Sequence, residues 1–300
     1  MKIVIAGGTG FLGGTLLPYF TNDEVVILTR NHRSSHENVR YATWNAQDLD
    51  QWYHELDGAD VLINLNGKSV DCRYTEKNKR LIYETRLKST SVLGEAILNC
   101  ERPPAVWINA SSATIYQHSE DKMMDEYNGD IGDDFSMDVC KSWEQVFYSF
   151  QLPFTRQIAI RTSLVLGKES GALPSLLNLS KIGLGGSQGS GNQWFSWLHE
   201  QDFARAVLFL IAHNDLSGNF NITAPEPLPN KEFMKQLRRQ LGVPFGISMP
   251  TWMVYLGAFI MQTEPELILK SRYVYPKRLT DAGFQFKYPE IVGAFQHLLR

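Results

Sequence analysis

Short apolar runs alternate with longer stretches of helical spacing through the first half of the chain. KIVIA (2–6), EVVILT (24–29), VRYATW (39–44), DVLINL (60–65), AVWINA (105–110) and TRQIAIRT (155–162) read as strands, rich in β-branched and aliphatic residues. Between them, helical periodicity covers about Phe11 to Phe20, about Thr75 to Asn99 and Phe135 to Phe150, with Pro103-Pro104 stopping the second. Strands alternating with helices predict an α/β fold: a doubly wound parallel sheet with helices on both faces.

After Arg161 the rhythm changes. GLGGSQGSGNQ (183–193) reads as a loop that glycine makes flexible. A helix over about Gln201 to Ala212, a short strand GNFNIT (218–223) and the proline-rich turn APEPLPN follow, and from Lys231 the chain reads as helices broken by prolines. The pattern divides the chain into a dinucleotide-type domain over 1–162, its sheet completed from 190–223, and a small, mostly helical C-terminal substrate domain built from 163–189 and 224–300. WMVYLGAFIM (252–261) is apolar throughout but far short of the ~20 residues that span a bilayer, so it is expected as a buried helix.

Composition narrows the partners. Hydrophobic residues are 43% and charged residues 20% of the 300, an ordinary globular balance that supports a sizeable core. The net charge of −3, without a basic run, lacks the footprint of a nucleic-acid binder. Cys72, Cys100 and Cys140 are far apart and form neither a disulfide framework nor a metal-binding spacing, which points to a reducing cytoplasm. Met1-Lys2 runs straight into IVIAGG, leaving no room for a signal-peptide apolar region. A cytoplasmic protein with no membrane partner and no metal is expected, as monomer or homodimer.

The candidate chemistry begins at AGGTGFLG (6–13), between the first strand and the first helix. Gly7, Gly10 and Gly13 have the spacing of a phosphate-cradling turn: one glycine for the tight bend, one for close backbone approach, one for helix–strand packing. This setting predicts a dinucleotide site of Rossmann type. At the end of the second strand stands ILTRNHR, with Thr29 then Arg30 and no acid for a ribose 2′-hydroxyl. Arg30 can bracket a 2′-phosphate, with Arg33 assisting, so NADP is expected over NAD. The bland alternative is a solvated surface arginine.

These residues resemble the extended (atypical) short-chain dehydrogenase/reductase superfamily, the NAD(P)-dependent sugar epimerases and dehydratases. GGTGFLG (7–13), LINLNG (62–67), SSATIY (111–116), RTSLVLG (161–167) and FNIT (220–223) occur in the family's order over most of the chain. NLNGKSV followed by CRYTEKNKRLIYETR, then GLGGSQGSGNQWFSWLHEQD and YPKRLTDAGFQF, look like a poorly characterised "epimerase-family" branch with a C-terminal domain of unknown function. The resemblance implies that Gly7, Gly10, Phe11, Leu12 and Gly13 wrap the pyrophosphate and that Arg30 and Asn31 take the 2′-phosphate. It implies that Asn64, Leu65, Asn66, Gly67 and Lys68 line the adenosine and ribose side. Arg86 falls where relatives often carry a ribose-side Asn, and Arg161 is implied at the nicotinamide end.

The superfamily's catalytic set is Ser, Tyr and Lys, with Tyr and Lys four residues apart on one helix face. Ser112 matches the Ser and Lys141 the Lys, but Met137 stands at the Tyr position, and a thioether cannot relay a proton. YVYPK (273–277) repeats the spacing, yet Pro276 discourages the helix that would align the pair. Tyr116 is the third catalytic candidate, although in the superfamily that tyrosine packs or lines the pocket. Asp138 neighbours the altered position and would be ionised unless desolvated. His199 is either near the cleft or a satisfied structural histidine, and Asp202 reads as a helix cap or ion-pair partner. Trp194, Phe195 and Trp197 read as a half-buried strand or as an apolar wall over the cofactor.

The expected function is that of an NADP(H)-binding oxidoreductase or epimerase-like protein. It would act on an unknown small carbonyl, alcohol or sugar-type substrate without the usual Tyr. The alternative is a non-catalytic NADP(H)-binding regulatory or scaffold protein, in keeping with the cell-division labels some relatives carry. An ordinary NAD-dependent sugar-nucleotide epimerase is disfavoured by Met137 and Arg30.

Overall fold

The computed structural model describes residues 1–300. Six strands form where the apolar runs predict them: β1 (Lys2–Ala6), β2 (Glu24–Thr29), β3 (Val39–Thr43), β4 (Val61–Asn64), β5 (Val106–Ser112) and β6 (Arg156–Thr162). Three helices fall between them: α1 (Phe11–Leu16), α2 (Glu76–Leu98) and α3 (Phe135–Tyr148). Thr75 starts α2 by accepting a hydrogen bond at Oγ1 from the Asn78 N–H at 3.3 Å. The first helix is shorter than its periodicity suggests. Pro18 has no N–H for a further α-helical bond, and the chain tightens into a 3₁₀ turn over Leu17–Tyr19.

The remaining elements are β7 (Leu164–Leu166), α4 (Leu173–Lys181), β8 (Trp194–Phe195), β9 (Trp197–His199), α5 (Glu200–Ala212), β10 (Gly218–Ile222), β11 (Leu228–Pro229), α6 (Asn230–Gln240), α7 (Thr251–Ile260), α8 (Glu266–Leu269), α9 (Lys277–Asp281) and α10 (Ile291–Leu298). One seven-stranded sheet has the order β10-β6-β5-β4-β1-β2-β3, every neighbouring pair parallel. Of the segment 190–223, only β10 joins that sheet. β9 pairs with β7 and β8 with β11 in separate two-stranded sheets. The order reverses at β1, where Ala6 pairs with Leu28 on one side and Asn64 on the other. The carboxyl ends of β1 and β4 therefore border the crevice where doubly wound folds place ligands.

Alternation along β1 builds both faces. Ile3 and Ile5 pack with Leu16, Phe203, Val207 and Leu210, under α1 and α5. Val4 and Ala6 pack with Val92, Leu93, Trp107 and Phe147, under α2 and α3. Each fully buried side chain of this size contributes about 1.5–3 kcal/mol relative to exposure. A third core joins Leu173, Trp197, Phe233, Leu237 and Phe295, binding α4, α6 and α10 to β9.

Two expectations change. The glycine-rich stretch 183–193 is pinned rather than flexible: Gly186 N–H donates to Ile247 O, Gly189 N–H to Met249 O and Gln188 N–H to Asn230 Oδ1. Helix α7 is apolar but not a buried helix. Only Val254 and Ala258 are buried, whereas Trp252, Tyr255, Leu256, Phe259 and Ile260 are exposed. Its residues are apolar all round, and the fold covers only the narrow i, i+4 stripe. No helix is long and apolar enough to cross a membrane.

Candidate active site

The turn from β1 into α1 needs glycine for steric reasons. Gly7 has φ +77°, and a Cβ there would stand 2.8 Å from the Leu65 carbonyl carbon. A Cβ on Gly13 would overlap the Gly8 carbonyl group. Gly10 caps α1 without a side chain, so the first N–H groups of the helix have no side-chain acceptor. Thr9 and Gly10 are exposed, Phe11 and Leu12 half-buried. The turn thus presents bare backbone to the crevice, as close approach of a pyrophosphate requires. A groove of about 660 Å³ opens beside Thr9–Phe11 and runs along α1 to Lys168–Ser170, but its lining includes none of Ser112, Met137 or Lys141.

At the end of β2, Thr29 is buried while Arg30 and Asn31 are exposed, and no acidic residue lies between Val25 and His36. The Arg33 guanidinium stands 6.0 Å from the Tyr41 ring centroid. At the end of β4 the Asn64 side chain turns inward, donating to Asn109 Oδ1 at 2.7 Å and to Thr90 Oγ1 at 3.1 Å. Asn66 and Lys68 are tied to α2 through Thr85, by Asn66 Nδ2 to Thr85 O and by the Lys68 N–H to Thr85 Oγ1. Leu65, Gly67 and Lys68 remain able to face a ligand. Arg86 packs behind this loop, donating from Nη1 to Lys68 O at 3.0 Å with its guanidinium 5.0 Å from the Trp143 ring centroid.

Past β5, the half-buried Ser112 accepts at Oγ from the Thr114 N–H at 3.2 Å and lies 3.0 Å from Thr114 Oγ1. Tyr116 and Arg161 do not face the crevice, contrary to their expected roles. Tyr116 is 1% exposed; its hydroxyl donates to Asn221 Oδ1 and accepts from Arg161 Nη1, both at 2.9 Å. Arg161 is held by Glu144, which also accepts from Ser111 Oγ at 2.6 Å. A buried guanidinium is costly without hydrogen-bonding partners, and here the pairing with Glu144 and Tyr116 occupies all three of its nitrogens. Burial raises the Tyr116 phenol pKa, and Arg161 opposes that rise. Neither residue is placed to exchange a proton with a ligand.

On α3, Met137 is buried and packs against Gly132, filling space instead of pointing at a ligand. Lys141 Nζ lies 3.5 Å from Asp138 Oδ1, and Asp138 Oδ2 accepts from the Tyr83 hydroxyl on α2. Burial and then the hydrogen bond to Asp138 raise the Tyr83 pKa. A tyrosine, a carboxylate and a lysine therefore adjoin the Met137 position. Tyr83 escaped the sequence reading because no local spacing links it to α3.

His199 is structural: it is fully buried, its Nδ1 accepts from the Gln201 N–H at 2.9 Å, and Nε2 lies 3.1 Å from His297 Nδ1. Asp202 ties α5 to the last segment through the Lys287 and Tyr288 N–H groups, both at 2.8 Å. Phe195 and Trp197 belong to the third core, and Trp194 stacks on Tyr273 at 4.0 Å. Pro276 precedes α9, leaving Tyr273 outside the helix that carries Lys277.

The glycine turn at the switch between β1 and β4 coincides with a match to the family model described as NAD dependent epimerase/dehydratase family, over residues 3–223. The chain belongs to that family. A second model, a domain of unknown function (DUF1731), matches residues 249–298. The chain is 32% identical to the epimerase family protein YfhF of Bacillus subtilis, covering 100% of this chain and 98% of that protein. It is similar to the crystal structure of the human epimerase family protein SDR39U1 (isoform 2) with NADPH: TM-score 0.86, 28% identity, 99% of each chain covered. The UDP-N-acetylglucosamine 4-epimerase of Bacillus cereus has a TM-score of 0.77 at 17% identity, covers 99% of this chain and 98% of its own, and shows the fold alone. The family fold is that of NAD(P)-dependent epimerases and dehydratases, with a nucleotide-binding sheet and a helical C-terminal region.

Proposed function

We propose that the protein binds NADP(H) and acts as an oxidoreductase or epimerase-like enzyme on a small carbonyl, alcohol or sugar-type substrate. The observation that carries this reading is Arg30: an exposed guanidinium at the end of β2, without an ion pair and without an acid beside it. A 2′-phosphate suits that place and a bare ribose 2′-hydroxyl does not. The NADPH named for the human structure supports the same preference. The glycine turn fits the pyrophosphate, because a Cβ at Gly7 or Gly13 would meet backbone.

When bound, the nicotinamide supplies or accepts hydride. The chain's own residues do the rest. Gly7, Gly10, Phe11, Leu12 and Gly13 hold the pyrophosphate, Arg30 and Asn31 the 2′-phosphate, and Leu65, Gly67 and Lys68 the ribose side, with Asn64 and Asn66 bracing that loop from behind. Ser112 orients the substrate oxygen. Protons reach that oxygen through Lys141, which Asp138 joins to Tyr83, in place of the tyrosine replaced by Met137.

The buried Met137 favours a second reading, a non-catalytic NADP(H)-binding regulatory or scaffold protein. Fluorescence titration with NADPH and NADH, followed by a carbonyl panel monitored at the NADPH absorbance, separates the two. Tighter binding of NADPH with turnover supports the enzyme; tight binding with no turnover supports the scaffold. Equal affinity for NADH would overturn the role of Arg30.

A further inference from the structure

Helix α7 turns an apolar face outward. Trp252, Tyr255, Leu256, Phe259 and Ile260 fall at i, i+3, i+4, i+7 and i+8, the spacing by which a helix ordinarily meets a core. All five are exposed, Phe259 at 63% and Ile260 at 71%, and the buried Val254 and Ala258 lie on the other side. With Met261, exposed just beyond the helix, they present on the order of 800 Å² of apolar surface, on a scale where a whole aromatic side chain offers about 150–250 Å². The largest apolar patch of a typical monomer is about 300–600 Å², and each partner in a specific complex buries about 800 Å².

The helix is not free to turn this face inward. Before it, the Met249 N–H donates to Ser187 O and the Met249 carbonyl accepts from the Gly189 N–H, each at 2.8 Å. After it, Arg73 Nη1 donates to Thr263 O at 3.0 Å, Thr263 Oγ1 to Asp71 Oδ1 at 2.5 Å and the Tyr74 N–H to Glu264 Oε1 at 2.6 Å. Both ends are fixed, so whatever covers the face comes from another molecule.

Charge narrows the occupant. No charged residue occurs from Gln240 to Thr263. A helix that lies on a lipid surface carries Lys or Arg along a polar face, and α7 has neither. A charged partner segment would find no counter-charge on α7 and would lose its water. The same face on a second copy is apolar, uncharged and of equal area, which is the self-complementarity a twofold interface requires. Its relief also suits a copy of itself. Trp252, Leu256 and Ile260 form one i+4 ridge, Tyr255 and Phe259 the next, and the groove between them takes a partner's ridge.

We infer that two copies of the chain form a twofold dimer by packing α7 against α7, independently of cofactor and substrate. Sedimentation equilibrium of the whole protein tests this, and a dimer at micromolar concentration is expected. Leu256→Glu and Leu256→Lys each weaken it at least about 100-fold, because twofold symmetry buries the introduced charge in both copies. Mixed in equal amounts, the two variants pair again. Phe259→Gln, which adds no charge, weakens the dimer at least about tenfold and keeps the test open if a charge at 256 disturbs α7, which circular dichroism melting reads. Phe154→Glu, at an exposed residue between α3 and β6, leaves the dimer intact. A monomer at every concentration up to about 100 µM would overturn the proposal, as would a dimer that the Leu256 and Phe259 variants leave as tight as before. Failure of the mixed variants to pair would overturn the α7-to-α7 contact. Binding of the wild-type protein, but not of Leu256→Glu, to phosphatidylcholine vesicles would assign the face to lipid instead.

Discussion

Arg161 and Glu144 meet at two points, Nε to Oε1 at 2.8 Å and Nη2 to Oε2 at 2.7 Å, with their side chains only 8% and 10% exposed. The contact joins β6 to α3 and holds Tyr116 in place through Arg161 Nη1. Glu144→Gln leaves a buried guanidinium without its counter-charge, and a loss of about 3–5 kcal/mol is expected in urea unfolding. The double variant Glu144→Leu/Arg161→Met should cost less than that single one. If both cost the same, charge pairing is not what stabilises this joint.

His199 makes stability fall with acid. Burial, with His297 and Lys287 adding to it, lowers its pKa from 6.5 to about 3. Between those values the unfolded chain binds a proton that the folded chain refuses, so stability is full above about pH 6.5 and declines as pH falls toward 3. From pH 7 to pH 5 the loss is about 2 kcal/mol. His199→Asn keeps a capping acceptor for the Gln201 N–H and should flatten that slope. An unchanged slope in urea unfolding at the two pH values would assign the acid sensitivity elsewhere.

Gly13→Ala places a methyl group against the Gly8 carbonyl. The turn must open, at a cost of about 1–3 kcal/mol from overpacking. Calorimetry should show a lower melting temperature together with loss of measurable NADPH binding.

Arg30→Ser removes the only guanidinium at the immediate end of β2. A charge-assisted hydrogen bond contributes about 1.5–3 kcal/mol, so NADPH affinity should fall about 10- to 100-fold while NADH affinity holds. Fluorescence titration reads both.

Met137→Tyr tests the proposal that Met137 stands where relatives carry a catalytic tyrosine. Met137 packs against Gly132, so the larger ring is expected to destabilise the protein by about 1–3 kcal/mol. Unfolding measurements accompany the activity assay, because a gain in turnover by a less stable protein would show that a proton relay was the missing component.

Local patterns were legible because their causes are local. The alternating strands and helices, the glycine turn and the lack of an acid after β2 follow from side-chain period and backbone sterics acting over a few residues. The exposure of α7 has a non-local cause: WMVYLGAFIM reports how apolar a helix is, not how much of it the fold covers. Glycines at 183–193 suggested mobility, yet partners at Asn230, Ile247 and Met249 pin the loop.

The sequence by itself determined the parallel α/β sheet and the glycine turn of a nucleotide-binding fold. Tertiary structure alone decided which polar side chains are free to act. It closed Tyr116 and Arg161 against Asn221 and Glu144 and linked Tyr83 to Lys141 through Asp138. Buried charges and hydroxyls take their properties from the partners that folding brings to them, and those partners lie far away along the chain.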